Sequence, residues 1–462
     1  MKRYILLLLL ILAFHLFLLL NLEFTAWPEI LSFPYLKNNG FLLYRDMVHA
    51  YPPLLTLALS YYYKAVGYGV VQLKIFTWLG ILANNILVFL SVRLLTKNEK
   101  KGLLASLFYA LTQPFLEGNM LWFDTALATP LFLSFYFLLK SIQDNFRKNL
   151  YIFASGLALG TSVLTKQTAL AFLLVSFLFL LFNRVPLRKM LLFSLGPLVL
   201  IGLLFLRLYQ ENAISGFFNW TFYYPSTYWT KYPTFLGLSP GKKELAIVLL
   251  VLSPAPLLLF RQRRKLGKEL LLLLLFLVSA VLAVYPRFSF YHFQPAIAFA
   301  SVLAGYMLFL SKKFSKNVLF LIIASVIILT LPGTLRAWGK EDRFFGKKDK
   351  ELAEIIRGKE LKGPVYLLGL HSGLYVLSGT LPPKPWVDNF GWVLEIPNLQ
   401  QGWVIDSWGK NPPGAIFWKK PEEGNWYELG TYQPQKITDW IKKNYTKEEE
   451  IDSEVSYWRI NR

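Results

Sequence analysis

The chain has 462 residues, 55% of them hydrophobic and 17% aromatic, with only 17% charged and a formal net charge of +21. An ordinary soluble domain carries about 25% charged residues, and one water-facing core does not hide this much apolar surface, so a soluble globular protein is excluded. The basic excess lies wholly within residues 1–335, which carry 30 Lys and Arg against 10 Asp and Glu, while 336–462 carry 19 and 18. That placement among apolar blocks speaks for membrane topology, and no nucleic-acid partner is expected.

Apolar blocks of bilayer-crossing length, about 20 residues, predict about eleven spans. They lie near 4–22, 69–95, 102–116, 125–140, 150–164, 169–183, 190–208, 244–260, 269–285, 294–311 and 317–335. The first follows Lys2 and Arg3 and reads as a retained anchor, because no small-residue cleavage site comes after it. Segments 1–3, 96–101, 141–149, 184–189, 261–268 and 312–316 are all basic. The intervening connections carry Glu23, Glu29, Asp46, Glu117, Asp124 and Glu211. Basic loops stay inside, so the N-terminus is expected inside and, with an odd number of spans, the C-terminal segment outside.

Two outer connections are long. Residues 23–68 hold LYRDMVHAYPPL and a half-apolar stretch, LLTLALSYYYKAVG, suited to an interfacial amphipathic helix. Residues 209–243 hold the aromatic run NWTFYYPSTYWTKYP, which suits interfacial anchoring or stacking on a sugar. From about 336 the pattern turns soluble. A helix is expected over Lys347 to Arg357, strands at VYLLG (Val365 to Gly369), AIFW (Ala415 to Trp418) and VSYWRI, and a helix over Ile437 to Tyr445. The expectation is an all-α polytopic membrane domain over 1–335, with interfacial helices in its first outer loop. A small soluble α/β domain over 336–462 follows on the outer face.

Charges at span ends are expensive and therefore informative. Four clusters fall on the expected outer side: Tyr44, Arg45, Asp46 and His49; Glu117 and Asp124; Thr165, Lys166 and Gln167; and Arg287 with His292. Each also has a plain structural reading. Asp46 pairs with Arg45 or caps a helix, Asp124 caps a span, Lys166 snorkels, and Arg287 marks a boundary. Taken together they offer a carboxylate base beside cations able to hold a phosphate.

The segment NNGFLLYRDMVHAYPPLLTLAL resembles the first outer loop of GT-C-type glycosyltransferases, polytopic enzymes that take a sugar from a polyprenyl-phosphate carrier. WFDTALATPLFLSFYFLL is similar to their second acidic motif, and SGLALGTSVLTKQTALAFLL to their "G…LG…LTK" turn. YPRFSFYHFQPAIAFASVLAG is similar to their Arg-bearing segment, and YLLGLHSGLYVLSGTLPP to their outer domain. The resemblance implies an inverting transferase moving sugar to an acceptor hydroxyl on the outer face, and the absence of Cys with abundant Lys suits a prokaryotic plasma membrane. Its partners would be a polyprenyl-phosphate-linked donor, a lipid, glycan or protein acceptor, and membrane lipids.

In that scheme Asp46 is the catalytic base and Asp124 positions the acceptor or the loop of Asp46. Lys166 and Arg287 hold the leaving phosphate, with Arg45 and His292 as further candidates, while Tyr44 and His49 position acceptor or loop. Where aminoarabinose transferases carry an acidic residue and a lysine before the Pro-Pro, this chain has Ala50 and Tyr51. One phosphate contact of that subfamily is therefore missing. No cofactor and no metal site are expected, with a divalent cation left open. The alternative readings are a polymerase or ligase of lipid-linked glycan assembly, or a transporter or flippase.

Overall fold

A computed structural model describes residues 2–461 apart from 145, 232–236, 238–239, 262–266, 311–313, 360, 389–398 and 421–433. Arg263, Arg264, Lys265, Lys312 and Lys313 of the expected inner segments lie outside the described residues, as do Tyr232 and Pro233 of the second outer loop. Two compact units alternate along the sequence. The first gathers Met1–Thr25, Leu73–Leu204 and Gly237–Glu341; the second gathers Ala26–Gln72, Phe205–Leu236 and Asp342–Arg462.

The first unit is helical. Lys2–Asn21, Val70–Thr96, Phe123–Gln143, Leu187–Gln210 and Phe320–Ala337 are long and apolar enough to cross a bilayer. Lys242–Leu252 and Pro254–Phe260 make a sixth such element if taken together, bent by 44°. The sequence predicts one unbroken block there; Pro254, which has no N–H to give, interrupts it. The block expected at 102–116 forms Glu99–Thr112 and then breaks at Pro114 into the π-turn Pro114–Gly118. Lys148–Thr165, Leu170–Phe182, Lys268–Leu282 and Gln294–Leu310 complete the apolar helices. This is an integral membrane protein.

Packing in this unit has two devices. One is an aromatic core in which Phe132 stacks on Phe299 at 4.6 Å and Phe276 meets Phe135, Phe172 and Phe299 at 5.5–5.6 Å. The other is a glycine crossing. A Cβ on Gly156 would stand 1.9 Å from the Phe193 carbonyl, one on Gly160 would stand 2.6 Å from Pro197 Cα, and one on Gly196 would stand 2.4 Å from Leu157 N. Helices Lys148–Thr165 and Leu187–Gln210 therefore touch backbone to backbone, as small residues allow between membrane helices. The two glycines of SGLALG are there for that contact.

The second unit holds a four-stranded sheet, β1 (Val365–Leu368), β2 (Ala415–Lys419), β3 (Tyr445–Glu450) and β4 (Val455–Ile460), in the order β1-β2-β4-β3. β1 and β2 run parallel, with Val365 opposite Ala415, while β4 is antiparallel to both β2 and β3. The three predicted strands are β1, β2 and β4. Helices Lys347–Gly358 and Gln435–Asn444 stand where expected, and Gly373–Ser378 and Leu399–Lys410 add to them. Helices Pro28–Asn38 and Leu54–Val66 belong to the same unit. Leu54–Val66 buries Leu55, Leu59 and Tyr63 one turn apart and exposes Tyr61 and Val66, the pattern of an amphipathic helix.

Candidate active site

In the second unit, residues 42–47 form a tight turn around Asp46. The Asp46 amide donates to the Leu42 carbonyl at 2.9 Å, and the Leu42 amide donates to Asp46 Oδ2 at 3.1 Å. Tyr44 sits in the left-handed region with φ of +68°, a conformation that costs a non-glycine residue of order 1 kcal/mol. The surroundings hold it there. The Tyr44 hydroxyl donates to the Tyr51 carbonyl at 2.7 Å, and its ring meets His49 and Phe217 edge-on at 5.4 and 5.2 Å.

The Asp46 carboxylate is flanked by two cations. Arg45 Nε donates to Oδ1 at 2.9 Å, and Lys384 Nζ donates to Oδ2 at 3.1 Å. Partial burial works against the charged form, but Arg45, the Leu42 amide and Lys384 outweigh it. Together they hold the Asp46 carboxyl below the usual carboxylate value. Lys384 has two further contacts. Its ammonium also donates to the Gly40 carbonyl at 2.6 Å and lies 4.6 Å from the centre of the Phe41 ring. Two residues on, the Trp386 amide donates to the Asp46 carbonyl at 2.9 Å, and the Val48 amide donates to the Trp386 carbonyl at 3.1 Å.

His49 is buried with both ring nitrogens engaged, Nδ1 with the Tyr51 carbonyl at 2.7 Å and Nε2 with the Thr56 hydroxyl at 2.9 Å. A carbonyl only accepts, so Nδ1 carries the proton and Nε2 accepts. Burial pushes this imidazole down to about 4, so it is neutral at pH 7 and serves the loop 47–56.

The other candidates assemble in the first unit. Asp124 lies in the first turn of Phe123–Gln143. The cap position there belongs to Trp122, whose amide donates to the Thr125 hydroxyl at 2.7 Å. The Asp124 carboxylate instead takes Lys166 Nζ on Oδ1 at 2.6 Å and His292 Nδ1 on Oδ2 at 2.7 Å, and all three side chains are buried. Lys166 reaches it because the chain leaves helix Lys148–Thr165 in an extended conformation (φ −151°, ψ 136°). Burial pushes His292 below the usual imidazole value, with Lys166 and Arg287 adding to that and Asp124 opposing it. One anion, one cation and one neutral ring leave the cluster without net charge, which suits a buried site.

The neighbouring turn is tied in as well. The Tyr291 amide donates to Glu117 Oε2 at 3.3 Å, and Gln294 Nε2 donates to the Leu116 carbonyl at 2.5 Å. Arg287 stands at a short bridge, where the Phe288 amide donates to the Gly237 carbonyl at 2.7 Å.

Three of the four predicted clusters thus meet in the first unit, and the fourth, around Asp46, is built in the second. Lys384 is the residue that sequence reading missed. It sits between prolines in LPPKPW, 338 positions from Asp46, and only its isolation as a cation on a proline-stiffened segment marks it. Among the described residues no group of three or more His, Asp or Glu side chains is arranged to hold a metal ion.

A family model described as dolichyl-phosphate-mannose-protein mannosyltransferase matches residues 50–207. No curated protein matches the sequence. Among solved structures, the chain is similar to ArnT from Cupriavidus metallidurans bound to undecaprenyl phosphate. That likeness has a TM-score of 0.68 and 14% identity, over 99% of this chain and 98% of that one. It is similar to the oligosaccharyltransferase AglB from Archaeoglobus fulgidus in complex with an inhibitory peptide and a dolichol-phosphate (TM-score 0.54, 12% identity, 90% and 69% covered). It is also similar to the arabinofuranosyltransferase AftD from Mycobacteria (TM-score 0.56, 12% identity), where it spans 40% of the longer chain. At such identities the likeness speaks for the fold.

Proposed function

We propose that the chain, an integral membrane protein with the fold of the GT-C glycosyltransferases, is an inverting transferase. It moves a sugar from a polyprenyl-phosphate carrier to an acceptor hydroxyl on the outer face of a prokaryotic plasma membrane. The observation that carries this reading is the turn at 42–47, where local strain and two cations hold one carboxylate in place.

Asp46 takes the acceptor's proton as the acceptor oxygen attacks the anomeric carbon. The bond from that carbon to the phosphate oxygen breaks with its electron pair, which stays on the phosphate. Attack from the opposite side inverts the configuration. A phosphate leaves without help from an acid, so one base and electrostatic support suffice. Asp124, Lys166 and His292 keep their ion-paired cluster within the first unit. His292 orients Asp124, and Tyr44 and His49 hold the base's loop.

The test is sugar transfer in proteoliposomes, with a panel of radiolabelled polyprenyl-phosphate sugars and an acceptor extract from the source organism. Transfer by the wild type and none by Asp46→Asn, with insertion intact, is expected. Equal transfer by both proteins refutes Asp46 as the base.

A further inference from the structure

We propose that Lys384, together with Arg45, forms the seat for the donor's phosphate. The phosphate and the Asp46 carboxylate then compete for the same two cations, so the base is released only when donor is bound. This rests on reading Asp46 as the base, and it assigns a working cation to the C-terminal segment.

Charge is the first argument. Two cations flank one carboxylate, so the group keeps one positive charge in excess, which an incoming phosphate ester neutralises. Glu211 faces Arg45 from farther off and is itself engaged by Arg207 at 3.2 Å. Accessibility is the second. The Arg45 and Lys384 side chains are 49% and 46% exposed, whereas that of Asp46 is 11% exposed. An anion therefore reaches the cations before it reaches the carboxylate.

Anchorage is the third argument. The pairing of Asp46 and Val48 with Trp386 fixes the backbone beside Lys384, while its flexible four-carbon stem lets the ammonium pivot off Oδ2. The chemistry then closes. A carboxylate bonded to two cations is a poor base, and a departing phosphate needs cations. One exchange meets both needs. As the acceptor proton moves to Asp46, the carbon–oxygen electron pair moves onto the phosphate, and the new negative charge falls on Lys384 and Arg45. The Asp46 proton is lost to water when product leaves.

The test compares the full-length wild type with Lys384→Met and Lys384→Arg in detergent. Binding of undecaprenyl phosphate and of undecaprenol is measured for each, with thermal unfolding as the control for folding. A charge-assisted contact to phosphate is worth roughly tenfold to hundredfold in affinity. Lys384→Met is expected to weaken the phosphate by that factor and leave the alcohol unchanged, while Lys384→Arg restores part of the loss.

The pH profiles read the competition directly. In Lys384→Met the acid limb of kcat/KM, which reports free enzyme, should move to higher pH, because a cation has left Asp46. The acid limb of kcat, which reports the donor complex, should stay in place. Equal losses for phosphate and alcohol, or an unmoved kcat/KM limb, overturn the proposal and leave the transferase reading standing. A wild type that prefers neither undecaprenyl nor dolichyl phosphate over the matching alcohol defeats the transferase reading itself.

Discussion

Gly216 and Tyr44 meet backbone to backbone: a Cβ on Gly216 would stand 2.3 Å from the Tyr44 carbonyl oxygen and 3.1 Å from its Cβ. The helix Ile214–Phe218 thus presses on the left-handed residue of the turn that carries Asp46. Backbone cannot rotate away as a side chain can, so Gly216→Ala should displace the turn. We expect a destabilisation of about 1–3 kcal/mol and a loss of transfer larger than the loss of folded protein. Gly202→Ala, inside a helix where a Cβ would meet nothing within 4 Å, is the control and should lower neither, with a gain in stability of up to about 1 kcal/mol. Unfolding in detergent and the transfer assay check both; equal behaviour of the two variants would deny the clamp.

The Asp124–Lys166 pair is expected to be strongly coupled. Removing one partner leaves an uncompensated buried charge, which costs about 3–5 kcal/mol, whereas removing both costs less than the sum. Lys166→Met, Asp124→Asn and the double variant form the cycle, read by denaturation in detergent. Strictly additive effects would mean that the 2.6 Å contact contributes nothing.

His49 makes stability depend on pH in a defined window. Its pKa falls from 6.5 to about 4 on folding, so between those values the unfolded chain binds a proton that the folded one refuses. Stability should therefore fall as pH drops from 6.5 through 4, by up to about 3 kcal/mol. His49→Gln should lose that slope while keeping a donor or acceptor near Tyr51 and Thr56. An unchanged slope in the variant would place the proton uptake elsewhere.

Much of the fold was legible because apolar runs of the right length have few other fates. The strands VYLLG, AIFW and VSYWRI announced themselves in the same way. β3 did not: YTKEEE buries only Tyr445 and is a strand because β4 lies beside it, a fact absent from its own composition. Within the candidate site, the polar residues at span ends stand in separate clusters along the sequence, and the structure brings Asp124, Lys166 and His292 together, since a buried charge needs partners. Their pairing was not readable, because phosphate-binding and internal ion-pairing use the same residue types. Lys384 escaped because its partner is set by tertiary pairing between residues 46–48 and Trp386.

The glycine crossing of Lys148–Thr165 with Leu187–Gln210 has a consequence for register. Side chains that interdigitate leave some play, whereas two backbones in contact leave almost none, so Gly156 and Gly160 act as a datum along the helix axis. Thr165, the last residue of the helix, follows Gly160 by about 7.5 Å at 1.5 Å per residue, too short a distance for bending to accumulate, and Lys166 comes directly after it. The depth at which its ammonium meets Asp124 is thereby set by a mechanical stop that carries no charge of its own.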